Sequence, residues 1–93
     1  MITEKEKKVI LKYAKKYHVS SVILFGSSIE KDKDYNDIDI GVKGINPKRF
    51  FDFYGELLLS LPKNIDVVDL KGKSLFNKLV EESGIKIYGW FKR

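Results

Sequence analysis

The sequence has no cysteine and no glutamine, and its 93 residues include one histidine, two prolines and two arginines. Without cysteine there can be no disulfide and no thiolate metal site, and His18 alone cannot build a histidine-based centre, so any metal must be held by oxygen. Long apolar runs are also missing. The densest cluster, Leu57-Leu58-Leu59-Ser60-Leu61, stops at Pro62, well short of the ~20 residues that cross a bilayer. Glu4 and Glu6 alternate with Lys5, Lys7 and Lys8 and no apolar segment follows, which is not the pattern of a secretory leader. The expectation is a cytoplasmic protein without membrane contact.

What is present fits a globular protein: 43% hydrophobic and 33% charged residues, in a length that suits one compact domain over residues 1–93. The net charge of +5 permits contact with phosphates or an acidic partner. The 16 lysines are spread along the chain with acids between them, however, so charge alone does not identify a nucleic-acid surface. Abundant Lys and Glu with no Gln also follows the composition of heat-adapted proteins.

Thr3-Glu4-Lys5-Glu6 has the form of a capping box, and Val9, Ile10, Tyr13, Ala14 and Tyr17 recur at helical spacing, predicting a helix over 4–17. Ser21-Val22-Ile23-Leu24-Phe25 reads as a buried strand ended by Gly26, with a helical turn from Ser27 to about Lys31 and a charged loop through Asn36. The alternation from Asp37 to Lys43 predicts a second strand, apolar side chains to the core and acids to the opposite face. Asn46-Pro47 starts a helix whose Phe50, Phe51, Phe53, Tyr54, Leu57, Leu58 and Leu61 form a broad apolar stripe read as core. Asn64 to Leu70 is a third strand, and Ser74 caps a helix with Leu75, Phe76, Leu79 and Val80 on one face. Ile85 to Tyr88 is a last extended piece. This order favours a small α/β or α+β domain, αβαβαβα, with a three-stranded mixed sheet flanked by helices. Trp90 and Phe91 either fold back on the core or enter a subunit interface, the latter implying a homo-oligomer.

The chemistry concentrates between Leu24 and Val42. Gly26 lacks a Cβ, so a phosphate could approach the backbone, and Ser27 adds a hydroxyl donor. Asp37 and Asp39 lie two apart on a strand and project from one face with Cα atoms about 6–7 Å apart. Two ionised carboxylates ~5 Å apart would repel by roughly 3 kcal/mol at an effective dielectric of ~20, and no arginine lies close in sequence to neutralise them. A divalent cation would remove that repulsion, and Mg2+ suits a site of few carboxylates completed by phosphates and water. Asp66 can supply a third acid from the third strand. Asp69 is its competitor, but an odd offset along a regular strand puts the two on opposite faces, which selects Asp66. Asp32 and Asp34 read as solvated loop charges. A phosphate turn beside paired acids points to phosphoryl or nucleotidyl transfer.

Gly26-Ser27, Asp37-Ile38-Asp39 and Asp66, with the helix before Leu24-Phe25 and the ending Leu79 to Tyr88, resemble the nucleotidyltransferase superfamily of DNA polymerase β. The likeness is to its minimal nucleotidyltransferase (MNT) domains, the antitoxins of HEPN/MNT pairs. The resemblance implies that Asp37, Asp39 and Asp66 are catalytic and bind two Mg2+ ions. It further implies that Gly26, Ser27 and Ser28 bind the phosphates of ATP, and that AMP passes to a hydroxyl on a macromolecule, a tyrosine of a HEPN-domain toxin. Family members often continue from Gly-Ser into Arg-Ala-Arg-Gly, whereas this chain has Ser28-Ile29-Glu30-Lys31. Glu30 replaces a cation there, although Lys31 or Lys33 could supply one. Two other readings therefore stay open: a binding module that neutralises its partner by contact, and a free-standing transferase acting on RNA or a small molecule.

Overall fold

The computed structural model describes residues 2–29 and 37–89. Helix α1, Glu4–Lys16, begins at the expected capping box: the Thr3 hydroxyl accepts from the Glu6 N–H at 3.1 Å and Glu6 Oε1 accepts from the Thr3 N–H at 2.9 Å. It ends in a Schellman turn, with Val19 N–H donating to Ala14 O at 2.9 Å and His18 N–H to Lys15 O at 3.2 Å. The left-handed position of that turn is His18, at φ 55°, where glycine is the usual occupant. His18→Gly should therefore stabilise the protein by about 0.5–1 kcal/mol, read in a thermal melt as a midpoint roughly 2–8 °C higher. An unchanged or lower midpoint would show that the imidazole compensates for its backbone.

Strands β1 (Ser21–Phe25), β2 (Asp37–Lys43), β3 (Asn64–Asp69) and β4 (Ile85–Gly89) form one mixed sheet in the order β3-β2-β1-β4. The sheet has four strands, not the three expected. Ile85 to Tyr88 reads as extended in the sequence, but its place depends on antiparallel pairing with β1, more than sixty residues away, and strand alternation does not name a partner. β1 and β2 are antiparallel, whereas β2 and β3 run parallel and are joined through α2 (Phe50–Ser60). A short 3-10 turn at Pro47–Arg49 precedes α2, with Asn46 Oδ1 accepting from the Lys48 N–H at 3.0 Å. The last helix, α3, spans Leu75–Ser83, and the Ser74 hydroxyl caps it by accepting from the Asn77 N–H.

Period-two alternation sorts the side chains onto two faces. Val22 and Leu24 of β1, Ile38, Ile40 and Val42 of β2, and Ile65 and Val67 of β3 meet Ile10 and Ala14 of α1, Tyr17 at its C-cap, and Phe53 and Leu57 of α2 in the main core. Polar side chains also tie those helices together: Glu56 accepts from Lys16 Nζ at 2.8 Å and from the Tyr17 hydroxyl. The opposite face carries a smaller cluster of Ile23, Leu70 and Val80, flanked by Phe25 and Val68. Gly41 belongs to this face, where a Cβ would press on Leu70 Cδ1 at 2.6 Å, so only glycine lets Leu70 close over the sheet.

The helical stripes proved wider than the surfaces they cover. Of the α2 stripe and the residue after it, Phe53, Leu57 and Leu61 are buried, whereas Phe51 is 79% exposed and Leu58 also faces outward. In α3 only Val80 of the expected set is buried; Leu75, Phe76 and Leu79 are exposed. No helix among the described residues is long and apolar enough to cross a membrane.

Candidate active site

Register brings the acids together. β2 pairs with β3 so that Asp39 lies opposite Asp66 and Asp37 opposite Asn64, while β1 pairs with β2 so that Phe25 lies opposite Asp39. Phe25, Asp39 and Asp66 therefore form a row across the face that carries the smaller cluster. Asp37 opens β2, and Asp39 and Asp66 are each the third residue of their parallel strands, so all three predicted acids lie toward the same end of the sheet. Asp69 stands apart: it pairs with Val42, and its Oδ1 accepts from the Lys71 N–H at 3.0 Å.

Gly26 closes the row. It opens a 3-10 turn, Gly26–Ile29, that contains Ser27 and Ser28. Its φ of 67° lies in the left-handed region, and a Cβ there would run into Asp39 Oδ2. Absence of a side chain thus keeps the backbone turn and the carboxylate in direct apposition. Glu30, Lys31, Asp32, Lys33 and Asp34 lie outside the described residues, as do Trp90 and Phe91.

The acids feel one another. The Asp39 carboxyl is held above the ordinary aspartate range, first by burial, then by the negative charges of Asp66 and Asp37, with a hydrogen-bonding contact to Asp66 adding to the effect. Anionic oxygens crowded in this way are hard donors that suit a divalent cation. Among the described residues no three acidic or imidazole groups are drawn together as a metal cage. An adjacent pair with a third carboxylate within electrostatic reach matches the open coordination that Mg2+ takes with phosphate and water. The donor set therefore fits the ion.

Tyr54 is a site residue that the sequence did not identify. Its hydroxyl donates to Asp66 Oδ1 at 3.3 Å. Burial and the Asp66 charge raise its pKa, while the backbone at Val67 acts in the opposite direction. Phe76 of α3 meets Phe25 edge-on, ring centroids 5.9 Å apart, and extends an apolar margin along the β1 side of the row.

The family described as polymerase beta, nucleotidyltransferase, matches residues 7–90. The chain belongs to this family. The nucleotidyltransferase fold is shared with solved structures of toxin-antitoxin systems. A chain of a toxin-antitoxin complex with AMP-PNP superposes with a TM-score of 0.75 at 24% identity, over 90% of this nucleotidyltransferase and 73% of that chain. A chain of the toxin-antitoxin MntA-HepT gives 0.72 at 21%, over 95% and 74%. One from the tri-AMPylated Shewanella oneidensis HEPN toxin in complex with MNT antitoxin gives 0.71 at 24%, over 91% and 71%. No curated protein sequence matches the chain.

Proposed function

We propose that this nucleotidyltransferase moves AMP from ATP to a tyrosine hydroxyl of a partner HEPN-domain toxin in the cytoplasm, and so serves as the antitoxin of the pair. The observation that carries this reading is the Asp39 and Asp66 pair set beside the Gly26 turn. The solved relatives add support, since their complexes include AMP-PNP in one case and an AMPylated HEPN toxin in another.

In this reading Gly26, Ser27 and Ser28 would hold the β- and γ-phosphates at the turn that ends β1. Asp37 and Asp39 would hold both Mg2+ ions and Asp66 one of them. Two bound Mg2+ ions would supply Lewis acidity, lowering the acceptor hydroxyl's pKa and offsetting charge on the departing pyrophosphate. The acceptor oxygen forms a bond to the α-phosphorus, the bond from that phosphorus to the β-phosphate bridging oxygen breaks, and pyrophosphate leaves. Asp66 takes the acceptor's proton. Because the developing charge is met by groups already in place, most of the acceleration is electrostatic.

The test is incubation of the chain with its partner, Mg2+ and labelled ATP. Label should appear on the partner's tyrosine and vanish with Asp37→Ala and with Asp39→Ala. The exposed Phe51 of α2 and Leu75, Phe76 and Leu79 of α3 favour a second reading, in which contact alone neutralises the partner. Neutralisation that survives both substitutions, without label, would establish it. Label transferred to RNA or a small molecule in the partner's absence would instead identify a free-standing transferase.

A further inference from the structure

Four groups are neighbours in succession across the sheet: the Gly26 turn at the end of β1 lies against Asp39 on β2, Asp39 pairs with Asp66 on β3, the edge strand, and Asp66 accepts from the Tyr54 hydroxyl. Tyr54 belongs to α2, which packs on the opposite face of the sheet. To reach Asp66 its side chain must pass around the β3 edge. The ring is anchored for this by Phe50, edge-on with centroids 6.0 Å apart, and by its packing at the margin of the main core.

We propose that Tyr54 is a positioning residue, whose hydroxyl fixes the rotamer of Asp66 so that the other carboxylate oxygen stays turned toward Asp39 and the incoming acceptor. This rests on the nucleotidyl-transfer reading. If pyrophosphate departs on the Gly26 side, in-line displacement brings the acceptor from the opposite side, and Asp66 is the last acid in the row there. A carboxylate on an edge strand can otherwise rotate about both of its side-chain torsions. A donor carried on a packed helix removes that freedom, as outer-shell partners do for ligating groups in metal sites. It also spreads the charge that Asp66 presents to Asp39 while no cation is bound.

The experiment measures Mn2+ binding calorimetrically on the full chain without nucleotide, with Mn2+ as the probe for Mg2+. Tyr54→Phe keeps the ring and removes the hydroxyl. It should leave the melting midpoint within about 2 °C, a fraction of a kcal/mol for a chain of this length. It should raise the Mn2+ Kd about 10-fold, the lower end of the effect of losing an outer-shell partner. In an Asp66→Asn background the same change should have no further effect, because the carboxylate that Tyr54 acts through is gone. In the transfer assay kcat should fall while KM for ATP holds. If the unmodified chain binds Mn2+ and Tyr54→Phe binds it equally well, the positioning role is overturned while the nucleotidyl-transfer reading stands. An equal loss of affinity in the Asp66→Asn background overturns it too, and so does an adenylyl group on Tyr54 itself, which would make that hydroxyl an acceptor. A chain that neither binds Mn2+ nor transfers nucleotide overturns both readings together.

Discussion

Asp39→Asn should raise the melting midpoint of the metal-free protein and at the same time reduce nucleotidyl transfer by about 10²–10³-fold, the scale of removing a charge-stabilising group at a reacting centre. Both effects have one origin. The Asp39 carboxyl is partly buried beside Asp66 and Asp37, and its folded-state pKa is raised. A raised acid pKa means that the folded chain holds the proton more tightly than the unfolded chain does. Well below the ordinary aspartate value, near pH 3.9, both states are protonated and there is no penalty. As pH climbs through that value and past the raised one, ionisation costs the folded state, and the cost is complete above it. Wild type should therefore fall behind Asp39→Asn progressively as pH rises from about 4, until the raised pKa has been passed. Melts of the two proteins across that range check the sign: a gap that stays constant or narrows with pH would refute the assignment. Added Mg2+ should close the gap from the wild-type side alone.

Gly26→Ala should damage stability and transfer together. The left-handed backbone at Gly26 costs a residue with a Cβ about 1–2 kcal/mol, and the new methyl group must displace the Asp39 carboxylate or the turn itself. A melting midpoint lower by roughly 4–16 °C is expected for that cost in a chain of this length. Transfer should drop about 10²-fold, since a displacement near 1 Å at a reacting centre has that effect. The contrast with His18→Gly is informative, because the same backbone region is entered there by a residue with a side chain and relief, not strain, is predicted. Wild-type transfer by Gly26→Ala would mean that the turn does not face the reacting phosphate.

Much of the molecule was legible from local pattern. The five residues of β1 and the seven of β2 fall where alternation and the Gly26 stop place them, and the capping box fixed the start of α1. Parity along β3 placed Asp66, not Asp69, opposite Asp39, because a period of two is a local property that survives folding. The missed features depend on distant partners. The fourth strand needed β1 to define it. Tyr54 looked like one more aromatic on an apolar stripe, and nothing in its spacing signals a path around a sheet edge to Asp66. The α2 stripe reads as core and the α3 residues as one apolar face, but a helix can bury only the sector that its neighbour covers, so Phe51, Leu75 and Phe76 remain outside.

The unequal cores have a consequence for how the molecule opens. Residues of α1, β1, β2, α2 and β3 share the large cluster that backs the row of acids, whereas α3 contributes Val80 to a patch of three buried residues. Local unfolding follows the weaker attachment. Amide hydrogens of α3 should exchange with solvent well before those of β2, leaving Asp39 and Asp66 side by side while Phe25 is uncovered. The α3 segment would then behave as a detachable flap on a catalytic sheet that stays intact.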